Sequence, residues 1–480
     1  MPIVGYRVPG AYSTVQNIQL AVSAASTLYV PVIVGPASQG SNQPLLFFTQ
    51  QDVQNEYGPP TISNPLSLGA LLAFQNGAPG VMTLNVIPAS STPAYIIGAP
   101  IASGSLISSS FTIQDDSFNT PVTINTPSTP ASNTSLENTD ILVNAINTTF
   151  GITVTADNAN GTTNQITLTN LIPGSVHTIN ISGTDPGIAG FTAGETANGT
   201  DGILSDNDFI NAFTSLLSTQ LPAIASVIVP LNTSTTVQSG LQAHVDLASS
   251  ENYRAERIGL VSGPITETYT TTINNAEALD DERIYYIFPT GGFRYDPINQ
   301  VVNILDGSYL CAALSGLITA YDPSTPILNK TIVGFQNLLN NGLSLNTLNS
   351  IASSGVLILS NKNAIIKVRD AISTNTASDT TSQMSVVRGI DNVSITLRNT
   401  LQENFLGTKI VSSTISLIQA ATISILSSMV SQQQIAAFQS PTATQDQSDP
   451  TQIDISVAIA PVYPLRYIQI TISLYLNSAA

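Results

Sequence analysis

The chain has 480 residues, a formal net charge of −17 and only 9% charged residues. That length is enough for several domains, each with its own core. A chain this acidic, with no basic cluster, lacks the means to displace counterions from phosphates, which argues against a nucleic-acid-binding role.

The charge is unevenly placed. No Lys or Arg lies between Arg7 and Arg254, an interval holding 14 acidic residues. The first 361 residues contain 6 basic and 23 acidic side chains, which accounts for the whole −17, whereas the chain from Lys362 onward is neutral. Ser, Thr, Asn, Gln and Ala carry most of the surface. Low charge density means little repulsion between copies, which suits a subunit that covers itself with its own kind. Cys311 is the single cysteine, so no intrachain disulfide can form and a reducing compartment is expected. MPIVGYRVPG has no basic stretch followed by an apolar run, so no secretory leader is expected there.

In chain order, residues 1–20 contain Pro2, Gly5, Pro9 and Gly10 and read as an extended arm. Thr27 to Gly40, TLYVPVIVGPASQG, reads as a buried strand ended by Gly and Pro. Pro65 to Ile87 reads as a helix, a Gly/Pro stop and a further strand, so residues 21–98 open a βαβ-like α/β core. Over 99–200 Thr, Ser, Asn and Gly dominate and helical periodicity disappears. Within that stretch Gly151 to Asn170 carries two alternating runs about Asn160–Gly161, a hairpin signal, so a β-rich inserted domain is expected.

The α/β rhythm returns over 201–361. Helix-like DNDFINAFTSLLS precedes the strand IASVIVPL, then come the helix VQSGLQAHVDLAS, the strands RIGLVSG and RIYYIFP, and the helix GSYLCAALSGLITAY. Strands separated by helices imply a largely parallel sheet. Residues 362–463 read as a C-terminal α+β domain. In its first helix Ile390, Val393, Leu397, Leu401 and Phe405 share a face. Val411, Ile415, Ile418, Thr422, Ile425 and Met429 form the stripe of a second helix within Ile410 to Val430. Nine Ser, Thr and Gln residues in that segment make it too polar for an expected membrane span. Ile453 to Ile459 and Ile468 to Leu476 then alternate apolar and polar residues, as two half-buried strands do. The second, within residues 464–480, has an apolar face with little sequence around it to cover its edge, so pairing with another molecule is a natural use.

Chemistry is hard to find. His177 lies in the insertion and His244 on a helix, with Asp246 pointing away from it on that helix. There is no G-x-S-x-G elbow, metal-binding Cys/His motif or phosphate loop, so no catalytic residue, cofactor or metal ligand is assigned and a non-enzyme is expected. The acidic run ALDDERI around Asp280–Glu282 has Ca²⁺- or Mg²⁺-ligand chemistry, but reads as a solvated or salt-bridged loop.

Five segments, in order, resemble contractile bacteriophage tail sheath proteins: PGAYSTV, VPVIVGPASQGSNQPLLFFTQQDVQNEYGPP, SLGALLAFQNGAPGVMTLNVI, TDGILSDNDFINAF and IDISVAIAPVYPLRYIQITISL. The resemblance implies a multidomain α/β and α+β chain. Its parts would be a central subtilisin-like α/β core, an outward-facing β-rich insertion and a C-terminal α+β domain facing an inner tube. It further implies terminal arms that add strands to neighbouring subunits, through Tyr12 and Val15 at one end and Ile468, Ile470, Ile472, Leu474 and Leu476 at the other. Candidate tube-facing residues are Arg388, Arg398, Lys409, Val411 and Ile418, although Arg388–Gly389 and LQENFLGTK depart from the family pattern. The implied partners are copies of the chain, the tail tube protein, and baseplate and tail terminator proteins. The implied place is the virion tail, assembled in the host bacterial cytoplasm. A phage-derived injection-system sheath, a hydrolase with His244 beside a Ser, and a non-contractile coat protein are the competing readings.

Overall fold

The computed structural model describes residues 29–115, 121–150, 154–158, 164–217, 224–297, 299–340 and 342–474. Contacts divide the chain between Arg388 and Gly389 and again between Val462 and Tyr463.

The larger unit is built on a nine-stranded sheet. From edge to edge its strands are Thr331–Ile332, Ile365–Asp370, Val356–Lys362, Ile284–Phe288, Ile258–Ser262, Ile224–Pro230, Tyr29–Gly35, Val81–Asn85 and Leu45–Phe47. The six strands from Val356–Lys362 to Val81–Asn85 are mutually parallel, and antiparallel strands close both edges. Such a sheet must be covered on both faces. Alternation in the strands shows how. Ile33, Val227, Val229, Leu260, Tyr285 and Ile287 enter one core with the helices Pro65–Gln75 and Gly307–Thr319. Val32, Val34, Ile228, Val261, Tyr286 and Phe288 enter the opposite core with the helices Asp206–Ser215 and Thr235–Ser249. The helix Gly307–Thr319 is buried along its whole length, and a Cβ on Gly316 would collide with the carbonyl oxygen of Ala73, so glycine permits this close helix–helix approach.

The expected βαβ opening and the later strands and helices are present. Residues 99–200 differ in one respect: they contain a 16-residue helix, Ser135–Phe150. Half of its buried stripe is polar. Asn138 and Thr139 are fully buried beside Leu142 and Ile146. Asn138 donates to the carbonyls of Ala102 and Gly104 and accepts from Thr129, while Thr139 donates to Ser135 O. Thr134 and Glu137 cap the start reciprocally. Around the helix lie a four-stranded and a three-stranded sheet, and the latter contains the expected Val154–Asn158/Ile166–Asn170 hairpin. The lobe begins before residue 99, because Ala94 and Ile96 belong to its core and Thr92 bridges Thr200.

The boundary expected at 362 also moves. Ile365–Asp370 is a strand of the main sheet, paired with Val356–Lys362, so the division falls instead within the helix Met384–Phe405.

The smaller unit contains the remainder of that helix, the helix Ser412–Ser431 and a long β-hairpin. Ile435–Phe438 pairs with Ile459–Pro461, and Thr442–Gln445 pairs with Ile453–Ser456. Val393, Ile425, Leu426, Met429 and Ile435 form its core. By length and composition Ser412–Ser431 is apolar enough to cross a membrane, more so than its Ser and Thr content suggested, with 33% of its apolar window buried. Ile418, Thr422, Ile425 and Met429 are buried as their spacing predicts; Val411 is the N-cap and exposed, as is Ile390 on the preceding helix.

Candidate assembly surface

Among the described residues, the apolar run Ile468–Leu474 has no cover. Residues 462–474 carry no regular secondary structure, so the second expected strand is not formed in the single chain. Ile468, Ile470, Ile472 and Leu474 are 75, 77, 82 and 97% exposed. Side chains of this kind are ordinarily buried, and a contiguous exposed set marks an interaction site. Leu476, Tyr12 and Val15 lie outside the described residues.

Immediately before this run the chain is held. Arg466 Nη2 donates to Asp370 Oδ2 at 2.6 Å, and the two side chains are 20% and 13% exposed. Burial works against the guanidinium charge, but the Asp370 hydrogen bond and charge outweigh it and raise the Arg466 pKa.

The smaller unit offers unpaired backbone. Each ladder of its hairpin is two-stranded, so the outer edges lack neighbours among the described residues. Phe438, Val457 and Ile459 pack inward on the helices, leaving Ala437, Thr442 and Asp454 outside. Asp446 holds the turn by accepting from the amides of Ser448 and Asp449.

Of the five candidate tube-facing residues, two are internal. Arg388 is 5% exposed and donates Nη1 to Ile318 O, and Ile418 is 6% exposed on its helix. Both are occupied inside the fold, because a buried guanidinium needs partners and a buried isoleucine packs. Arg398 is half-buried, and Lys409 and Val411 are exposed.

A second apolar surface escaped the sequence reading. Gly291–Asp296 and Val301–Asp306 form a hairpin pairing Phe293 with Ile304 and Tyr295 with Val302. Tyr295, Val302 and Ile304 are exposed on one face; Leu305 is buried and Arg294 donates to Gly334 O on the other. The alternation in GGFRYDPINQVVNILD was the available signal.

The histidines have structural partners. Arg257 Nη1 lies 3.2 Å from His244 Nε2, and since arginine only donates, that nitrogen accepts. Burial, then the Arg257 charge, push His244 down to about 3, and its ring packs on Phe213. His177 is buried in the insertion, its amide donating to Gly174 O. Asp281 accepts from the Arg283 amide and from Gln242. Among the described residues no group of three or more His, Cys, Asp or Glu is placed to hold a metal ion.

No known protein-family model matches the chain. The tail sheath protein of Mycobacterium phage Bxz1 is 26% identical over 243 residues, 50% of this chain and 41% of that protein. The match therefore spans about two-fifths of that curated relative. The chain is similar to phage tail sheath proteins. A sheath tail protein from Listeria innocua has the same fold, with a TM-score of 0.58 at 12% identity over 90% of this chain and 92% of that one. The contracted helical sheath of the anti-feeding prophage matches with a TM-score of 0.56 at 12% identity, covering 98% and 99% of the two chains. The mixed α/β multidomain architecture is thus shared with sheath proteins across nearly the whole length.

Proposed function

We propose that the chain is the structural subunit of a contractile sheath, polymerising around a tail tube and shortening to drive that tube through a host envelope for DNA delivery. The observation that carries this reading is the exposed run Ile468–Leu474 on a chain with the sheath fold. In it, the doubly covered parallel sheet is the subtilisin-like core serving as a scaffold without chemistry. The C-terminal run adds a strand to a neighbour's sheet, where backbone bonds supply affinity and alternate side chains supply specificity. The free edges of the Ile435–Pro461 hairpin are the receiving site.

Burying five Ile and Leu side chains at ~1.5–3 kcal/mol each gives roughly 8–15 kcal/mol gross. Ordering and association reduce that figure. A flexible strand link of this strength lets compact bodies slide past one another without separating, so energy stored at assembly can drive contraction. The outward face of Phe293, Tyr295, Val302 and Ile304 is suited to contact between such bodies. Arg398, Lys409 and Val411 remain the tube-side candidates, with the tube, baseplate and terminator proteins as partners and the virion tail, assembled in the host cytoplasm, as the location. A phage-derived injection-system sheath is the second reading, favoured by the anti-feeding prophage likeness.

Negative-stain electron microscopy of the full chain beside a version ending at Arg466 tests this. Tubes or sheath-like cylinders from the full chain alone are expected. Folded monomers from both at high concentration would overturn the reading.

A further inference from the structure

The exposed run has a fixed root. Pro464 closes a small cavity lined by Thr325, Ile327, Ala371 and Met384. Two residues on, Arg466 is ion-paired with Asp370, the last residue of a main-sheet strand and in register there with Ile358. Tyr467, the next residue, is 78% exposed, and the chain stays exposed to Leu474. Held and free chain thus meet at a single peptide bond, three residues beyond residue 464, where the C-terminal arm was expected to begin.

We infer that the Arg466–Asp370 ion pair is a strap that ties the root of the C-terminal arm to the nine-stranded sheet, so that only Tyr467 onward is free to pair with another copy of the chain. The use of the free segment rests on the strand-exchange reading above; the strap does not.

The chemistry suits a strap. Arginine keeps its charge at every working pH and offers a planar fork to a carboxylate. Both groups are largely out of water, so salt screens the pair less than it would an exposed one. Asp370 continues into a strand hydrogen-bonded to Val356–Lys362, so a pull on the arm is delivered along a strand of the sheet. If the strap opened, Tyr463–Arg466 would join the tether and add roughly 13 Å of slack at ~3.3 Å per extended residue. In a lattice held by such tethers, that slack would loosen the spacing between copies.

Limited proteolysis of the full-length chain, followed by mass spectrometry, tests the strap without requiring assembly. Trypsin needs the Arg466 side chain, whereas chymotrypsin needs Tyr467. The Arg466–Tyr467 bond is expected to resist trypsin while chymotrypsin rapidly cuts after Tyr467. In Asp370→Asn, trypsin release of the fragment 467–480 should be at least about threefold faster, the size expected for losing one ion pair. A change smaller than that, or a native chain cut after Arg466 as fast as the urea-unfolded chain, overturns the strap. Should Asp370→Asn fold poorly, Arg466→Gln leaves the strand intact. Chymotryptic cleavage after Leu465 should then be at least about threefold faster, and no increase overturns the strap. Tube formation is scored separately. Tubes that fail to form from the wild-type chain count against strand exchange, while the proteolysis result still decides the strap.

Discussion

Tyr29–Gly35 and Ile468–Leu474 use one chemical vocabulary and reach opposite ends. YVPVIVG lies between parallel neighbours, with Val30, Val32, Ile33 and Val34 fully buried. IQITISL carries a comparable density of β-branched and apolar residues and leaves its isoleucines at least 75% exposed. The difference lies in what the chain supplies around each. Tyr29–Gly35 has helices on both faces from its own sequence. Among the described residues the C-terminal run has none, and on the proposed reading its cover comes from another copy of the chain. Alternation favours a strand, and the partners around it decide whether that strand forms and is buried.

The comparison breaks most visibly on assembly. Ile470→Asp combined with Ile472→Asp should abolish tube formation seen by electron microscopy while leaving the monomer's melting temperature unchanged, since surface changes cost within about 0.5 kcal/mol. A matching truncation in the core does the reverse. Ile287→Ala, at a fully buried position, should cost about 2–5 kcal/mol in urea unfolding of the monomer. Ile470→Ala should leave that transition in place.

The buried histidine sharpens the core side of the contrast. His244 is held at about 3 in the folded chain, against 6.5 when free. Its contribution to stability is complete above 6.5 and is lost as pH falls from there toward 3, at up to about 1.4 kcal/mol per pH unit. Asp246 acts in the opposite sense. Burial, then Asp281, push it up to about 6, so its contribution is present below 3.8 and lost as pH rises through 6. It is the more solvent-exposed group, so screening weakens it. Stability measured between pH 4 and 6.5 should therefore rise with pH in the native chain, and in His244→Gln the rise should flatten or reverse. The smallest expected effect lies in the insertion. Thr134→Ala removes the cap of Ser135–Phe150 and should cost about 1 kcal/mol, read from unfolding of the lobe.

Much of the fold was legible because burial and apolarity coincide in it. Val81–Asn85, Ile258–Ser262 and Ile284–Phe288 are continuous apolar strands, and Gly307–Thr319 is an apolar helix. Legibility failed where the two part. Ser135–Phe150 hid because Asn138 and Thr139 are buried polar residues, and the carbonyls of Ala102 and Gly104 that accept from Asn138 cannot be foreseen from spacing. Ile365–Asp370 was assigned to the wrong unit because a short antiparallel strand with Lys367 and Arg369 looks like solvent-facing chain until its partner is known. In the C-terminal run the alternation was readable, and the sequence alone left open whether its own chain covers it. The Arg466–Asp370 pair was not readable, since its partners are 96 residues apart. Nor was the internal use of Arg388, whose acceptor, Ile318 O, is a backbone atom.

Hydrogen exchange at residues 468–474, compared between monomer and assembled tubes, tests the donated strand most directly. The account predicts amides that exchange freely in the monomer and become strongly protected in the tube, alternate residues in step with a ladder. Amides equally unprotected in both states would contradict it, because the tube would then be held by other surfaces and the exposed run would have no partner.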